Sequence, residues 1–144
     1  MRSYEVDYAG WAEDTAQAIC QGRWSEIDRA ALADEVLGLA KKERRAIRSQ
    51  FEVLLVHLLK KRYQPMKASR SWDATILEQR LKLNELYHDN PSLHSEMAEA
   101  IAKAYAIARL RAVRETGLAL EGFPDTQPFT DLEIWGGDET GSQD

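Results

Sequence analysis

One apolar stripe with helical spacing runs from Leu32 to Leu59, and it narrows the possible folds more than any other stretch of this chain. Leu32, Val36 and Leu39 recur at i, i+4 and i+7, and the same phase resumes at Ile47, Phe51, Leu54 and Leu58. This spacing is typical of an amphipathic helix. The sequence therefore predicts either one long helix over about 29–63, bent near Gly38, or two helices that meet near residues 38–41. Continuity of phase favours the single helix, and Pro65 ends it.

Three further segments show the same period. The first covers about 8–21, with Asp7 as its cap and Gly22 as its end. The second follows Ser71 as its cap, and the third follows Asn90-Pro91 and closes at Gly117. Thr130 is positioned to cap a last turn that ends at Trp135.

No alternation of strand type and no internal repeat is present. The four long segments are joined by short links, which indicates an all-α, antiparallel bundle of about four long helices with a short C-terminal extension. We expect residues 1–135 to form a single helical domain, a usual size for one domain, and residues 136–144 to be a disordered acidic tail.

The single cysteine excludes an internal disulfide and a cysteine-rich zinc cluster. Cys20 falls on the apolar face of the first helix, where it is expected to be a small core residue. No signal peptide is apparent at the N-terminus, and no stretch approaches the roughly 18 apolar residues of a membrane span. We therefore expect a cytoplasmic protein that is not bound to a membrane.

Charge is divided unevenly along the chain. The net charge is −5, yet residues 41–82 contain twelve Lys/Arg and four Asp/Glu, a local balance of +8. Residues 121–144 contain seven acids and no base. Such a chain can attract an anion at one place while repelling it overall.

Several polar residues interrupt the apolar stripes, and they are the main candidates for a functional site. They are Glu35, His57, Gln79, Arg80 and Glu115. An unpaired buried charge is costly, so Arg80 is expected to face Glu35 or Glu115. The group is interpreted as a buried polar network that fixes helix order. A small pocket with acid–base groups is the alternative, and a third possibility is that these side chains are solvated.

Signatures of cofactor chemistry are absent from the sequence. It has no Glu-x-x-His pair for a di-metal bundle, no nucleophile elbow, no phosphate loop and no dinucleotide fingerprint. We expect no metal site and no cofactor, and we favour a non-catalytic protein over an enzyme.

A basic segment with interleaved aromatic residues suggests a different function, the binding of nucleic acid. Its cations are Lys60, Lys61, Arg62, Lys67 and Arg70. Phosphates could bind there while Tyr63 or Trp72 stacks on a base. The acidic net charge counts against nucleic acid. The segment could instead be a solvated loop beside Trp72 as a core residue, or be covered by the acidic C-terminal segment.

Several stretches together resemble the bacterial family called domain of unknown function 29. They are LADEVLGLA (32–40), VLLVHLLK (53–60), SWDATILEQR (71–80), DNPSL (89–93), ETGL (115–118) and Phe123-Pro124 with the later Pro128. The family's acidic pair stands here as Asp34-Glu35, whereas its tryptophan after the HLLK stretch is replaced by Lys61.

The resemblance implies an all-helical bacterial protein, and it implies no reaction. As motif positions it singles out Glu35, His57, Trp72, Gln79, Arg80 and Glu115. The function hypotheses are therefore three: an interaction or regulatory protein that self-associates or binds a protein partner, a small enzyme with a pocket in the bundle, and a nucleic-acid-binding protein.

Overall fold

The computed structural model describes residues 1–137, and this part of the chain contains helices and no strand. The helices are α1 (Tyr8–Cys20), α2 (Arg29–Tyr63), α3 (Arg70–Asp89), α4 (Met97–Thr116) and the short α5 (Asp131–Trp135). Short 3-10 helices of three to six residues occupy the links. The all-α prediction of four long helices with a short C-terminal extension is confirmed.

Most helix ends lie where the capping residues predicted them. The carboxylate of Asp7 accepts from the amide of Gly10, and Gly22 has a φ of 70° just beyond α1, a backbone conformation that favours glycine. Thr130 and Glu133 form a reciprocal capping box on α5. The cap of α3 was predicted at Ser71 and is Ser69 instead, whose hydroxyl accepts from the amide of Trp72. Either serine suits a cap, so the sequence pattern did not discriminate between them.

Helix α2 is continuous over 35 residues, which confirms the single-helix alternative. Its buried residues all lie in its second half, from Ile47 to Leu59. Val36, Leu37 and Leu39 in the first half are 56%, 61% and 65% exposed. One helix therefore has two parts with different surroundings.

The described chain divides into two compact units, Met1–Lys42 and the residues from Glu43 onward. The N-terminal unit consists of α1 and the first part of α2. Trp11, Thr15 and Ala18 are its buried α1 side chains. Cys20 is exposed, so its predicted place in the core is wrong. It is the last residue of α1 and lies two residues, or about 200° around the helix, from the buried Ala18. The single domain expected over 1–135 stays a prediction.

The C-terminal unit has a continuous hydrophobic core. Phe51, Leu54, Leu55 and Leu59 of α2 are fully buried there. They pack in one cluster with residues of α3, α4 and the C-terminal segment: Ile76, Leu83, Ile101, Ala104, Tyr105, Ala108, Ala112, Phe123, Phe129 and Ile134. The short segment after α4 thus contributes large side chains to the core.

Within residues 1–137, no helix has the length and apolar character needed to cross a bilayer. Of the predicted acidic tail, Gly136 and Gly137 are described, and the amide of Gly136 donates to the carbonyl of Leu132. Residues 138–144 lie outside the described part of the chain.

Candidate functional site

Three aromatic rings cluster at the start of the N-terminal unit. The ring centroids of Tyr4 and Trp11 are 4.7 Å apart, those of Tyr4 and Tyr8 are 5.6 Å apart, and those of Tyr8 and Trp11 are 5.9 Å apart. Tilted and edge-on arrangements at these distances are favourable. The spacing of four and three residues is helical, and it is the signal in the sequence that could have indicated this cluster.

Glu35 of α2 is held by two of these rings. The phenol of Tyr4 donates to one carboxylate oxygen at 2.6 Å, and the phenol of Tyr8 donates to the other at 2.5 Å. These hydrogen bonds lower the pKa of Glu35, because they stabilise the carboxylate. They also raise the pKa of Tyr8, and they raise that of Tyr4 to about 12. We call Tyr4, Tyr8 and Glu35 the tyrosine clamp.

An open groove lies beside the clamp, between α1 and the first part of α2, and encloses about 240 Å³. We call it the N-terminal groove. Its walls are mostly apolar and are formed by Tyr8, Trp11, Ala12, Thr15, Ala16 and Ile19 of α1 with Leu32, Glu35, Val36 and Leu39 of α2. Glu35 is the one charged residue among these lining side chains.

The charge of Glu35 has no cationic partner in the described part of the chain. Its hydrogen bonds are to the two neutral phenols, and no cation contributes to the shift of its pKa. The indole nitrogen of Trp11 in the same groove is buried and has no hydrogen-bond acceptor within residues 1–137. An anionic carboxylate therefore lies next to an open apolar surface, where it favours a cation.

Arg80 and Gln79 lie on α3 in the C-terminal unit. The guanidinium of Arg80 donates through Nε and Nη2 to the backbone carbonyl of Glu133, at 3.1 and 2.5 Å. Asn84, one turn later, donates to the carbonyl of Trp135 at 3.4 Å. These side chains donate to backbone carbonyl groups in the last turn of α5. Gln79 is buried, and its Oε1 has no donor among residues 1–137.

Glu115 and His57 have local partners. Glu115 is exposed and accepts from Nζ of Lys60 at 3.0 Å. His57 is half-buried, and its Nδ1 lies 2.8 Å from the carbonyl oxygen of Val53 one turn earlier. Arg80 is expected to face Glu35 or Glu115, but its guanidinium binds a backbone carbonyl instead.

Of the predicted group, the structure brings none of the C-terminal members into direct polar contact. No hydrogen bond or ion pair joins any two of His57, Gln79, Arg80 and Glu115 in the described residues. Glu35 belongs to the tyrosine clamp of the N-terminal unit. A shared network of all five residues stays a prediction.

Acidic side chains form ion pairs with three of the five cations of the basic segment. Lys60 pairs with Glu115, Lys61 with Asp73 at 2.6 Å, and Arg62 with Glu133 at 2.7 Å. Lys60 also lies 4.9 Å from the ring of the half-buried Trp72. Within residues 1–137, Lys67 and Arg70 form no ion pair. Glu133 belongs to the acidic C-terminal segment, so part of that segment does meet the patch, which weakens the nucleic-acid hypothesis.

A second cavity of about 120 Å³ lies on the C-terminal unit between α2 and the start of α4. Arg44, Ile47, Leu93 and Met97 are among its lining residues, and Arg44 pairs with Glu96 at its rim at 2.9 Å. Neither cavity is lined by His57, Gln79, Arg80 or Glu115. Over residues 1–137, no group of three or more His, Cys, Asp or Glu side chains is placed to hold a metal ion.

Residues 3–137 match the model of the family described as Domain of unknown function DUF29. Comparisons with curated proteins and with solved structures gave no match. The family match covers nearly the whole chain and includes the clamp, the groove and α5.

Proposed function

This chain belongs to the DUF29 family, and we propose that it is a non-catalytic interaction protein whose N-terminal groove receives an amphipathic helix. The observation that carries this proposal is the open apolar groove with the carboxylate of Glu35 at its edge, a carboxylate that has no cationic partner in the described part of the chain. The preferred partner is a helix with apolar residues at i, i+3 or i+4, and i+7, and with a lysine or arginine placed to reach Glu35.

The apolar walls supply the affinity in this proposal. Side chains such as Val36 and Leu39 are more than half exposed, and covering apolar surface is favourable by about 25 cal/mol per Å². A helix laid into a hydrophobic groove is a recurring mode of recognition, because one face of the helix supplies all the anchors. In this proposal, the groove between α1 and α2 receives one such helix.

The tyrosine clamp orients the carboxylate of Glu35 in this proposal. Two phenols fix both oxygens of Glu35, so the carboxylate is held in place before a partner arrives. A fixed group loses less conformational entropy on binding than a free one. Each carboxylate oxygen has a second lone pair, so the clamp leaves acceptor sites for an incoming cation.

The polar residues of the C-terminal unit support a structural role there. Arg80 and Asn84 bind carbonyl groups of the chain itself, and Glu115 and Glu133 pair with lysine and arginine of α2. These contacts hold the helices and the C-terminal segment in place. We propose the bacterial cytoplasm as the compartment, since a single cysteine suits a reducing environment.

Peptide selection tests the function directly. A library of helical peptides displayed on phage is selected against the full chain, held at low concentration. We expect the selected peptides to share an apolar i, i+4, i+7 pattern with one nearby cation. Their binding should be lost with Val36→Glu, which places a charge in the groove, and retained with Leu37→Glu.

Leu37 is a matched control because it is equally exposed and adjacent, yet it does not line the groove. Selected peptides without the apolar pattern, or peptides that bind the Val36→Glu variant as well as the unmodified chain, would count against the groove as the binding surface.

A further inference from the structure

Two unpaired charges of opposite sign lie on one flank of α2 in the N-terminal unit. Glu35 has no cationic partner, and Lys42 forms no hydrogen bond or ion pair within residues 1–137. They are seven residues apart, and seven residues of a helix return to nearly the same face, within about 20°. Leu32, Val36 and Leu39 form the apolar stripe beside this flank.

This arrangement is self-complementary. When two identical helices pack antiparallel, the residues on one flank of the stripe meet the same flank of the other helix in reverse order. The acid near the beginning of one copy then faces the base near the end of the other. Because the operation is two-fold, the pair forms twice in the same interface.

We propose that the occupant of the N-terminal groove is a second copy of this chain, with the two α2 helices antiparallel and Glu35 of each copy facing Lys42 of the other. This inference rests on the proposed function, since it names the partner helix that the groove receives. In the same register, Val36 of each copy lies against Leu39 of the other. The two helical pairs, each of α1 and the first part of α2, then close on each other as a four-helix interface.

Charge discriminates against the parallel alternative. A parallel two-fold arrangement would place this flank against the other flank of the partner helix, where Ala33 and Ala40 lie, so Glu35 would not face Lys42. It would also leave the carboxylate of Glu35 beside the apolar interface without a cation, which is costly. The antiparallel register satisfies both charges at once.

The size of the groove predicts a weak dimer. Helix α1 has 13 residues and is therefore about 20 Å long. Such a face falls at the low end of specific interfaces, below about 1,200 Å² of total buried area. We expect a reversible equilibrium between monomer and dimer that depends on concentration and on salt.

Sedimentation velocity of the full chain over a series of concentrations tests the inference. Lys42→Glu should weaken the dimer about tenfold, because it turns two attractive pairs into two repulsive ones. Lys41→Glu is the matched control: it makes the same change of charge, but its side chain lies about 100° around the helix from that of Lys42. The control should dimerise like the unmodified chain.

Charge reversal across the interface gives the sharper result. An equimolar mixture of the Glu35→Lys and Lys42→Glu variants should form a heterodimer more readily than either variant forms a homodimer. Circular dichroism of each variant checks folding, because Glu35→Lys removes the acceptor of the tyrosine clamp. If that variant does not fold, Glu35→Gln keeps an acceptor for the phenols and should weaken the dimer by removing the charge.

Three results would overturn the inference. One is a monomer at every concentration, another is a dimer that Lys42→Glu and Lys41→Glu affect equally, and the third is a mixture with no preference for the heterodimer. If the selected peptides still bind the groove in any of these cases, the proposed function stands and only the identity of the partner is wrong. If neither peptides nor a second copy bind, both proposals fail.

Discussion

The N-terminal and C-terminal units place their apolar side chains differently. In the C-terminal unit, Phe51, Leu54 and Leu55 of α2 are fully buried, and the chain after α4 returns to cover the core with Phe123 and Ile134. In the N-terminal unit the same helix leaves Val36 and Leu39 more than half exposed. The stripe is continuous in sequence, so its burial depends on which other segments of the chain pack against it.

Polar groups differ in the same way. In the C-terminal unit, Arg80 and Arg62 bind groups of the chain's own C-terminal segment. In the N-terminal unit, Glu35 is fixed by neutral phenols, and its charge has no counter-ion among residues 1–137. The N-terminal unit therefore has a carboxylate beside an open apolar surface, whereas the C-terminal unit binds these polar groups within itself.

The largest expected effect is the loss of stability when a side chain in the buried half of α2 is truncated. Phe51→Ala removes a fully buried ring that packs edge-on against Trp135, with centroids 5.5 Å apart. We expect the free energy of unfolding to fall by about 3–5 kcal/mol. Leu37→Ala on the exposed half should change it by less than about 0.5 kcal/mol. Urea denaturation followed by circular dichroism measures both, and equal losses would contradict the comparison.

A smaller effect is expected where side chains hold α5. Arg80→Leu leaves the carbonyl of Glu133 without its guanidinium donor. We expect a loss of about 1–3 kcal/mol, the usual cost of an unsatisfied buried group. Hydrogen exchange should accelerate at the amides of α5, with little change in α1. The control is Lys82→Leu, whose exposed pair with Glu78 spans one helical turn. If the amides of α5 exchange at an unchanged rate in Arg80→Leu, then Arg80 does not have this structural role.

The tyrosine clamp should be visible in an alkaline titration. Its hydrogen bond to Glu35 raises the pKa of Tyr4 to about 12, so the clamp's contribution to stability is fully present below the ordinary tyrosine pKa of about 10 and is lost as the pH rises through 12. At low pH the carboxylate of Glu35 sets the limit. Its contribution to stability is lost as the pH falls through its lowered pKa. Tyrosinate absorbance measures the alkaline side.

Glu35→Gln should move the pKa of Tyr4 down towards its ordinary value, since the acceptor becomes neutral. Asp34→Asn is the matched control, because Asp34 acts on Tyr4 only through its charge, a weaker influence than the hydrogen bond. The pKa of Tyr105, which burial raises, should not change in either variant. A titration in which both variants behave alike would show that the hydrogen bond is not the cause.

The smallest effect concerns Gly38, in the exposed part of α2. A Cβ at this position would meet nothing within 4 Å, and its φ is not positive. Gly38→Ala should therefore raise the free energy of unfolding by about 0.4–1 kcal/mol, because alanine loses less conformational entropy in a helix. Thermal unfolding measures the gain. A loss of stability in the monomer would show that this part of α2 is less open than described.

The sequence alone determined the helices, because apolar periodicity, proline and capping residues act over only a few neighbours. Its pattern predicted α2 as one helix, the caps at Asp7 and Thr130, and the family. It also singled out Glu35 and Arg80 as unusual positions. It misplaced Cys20, because phase along a helix indicates which face a residue occupies but not whether another element covers that face.

Only the tertiary structure decided the partners of these residues. The phenols of Tyr4 and Tyr8 bind Glu35 across 31 and 27 residues, and Arg80 reaches Glu133 across 53. A hydrogen bond needs two groups within about 3 Å with suitable angles, and helical phase does not specify such a distance between different elements. For the same reason, the sequence showed a continuous stripe on α2 and could not show that its first half would remain an open groove.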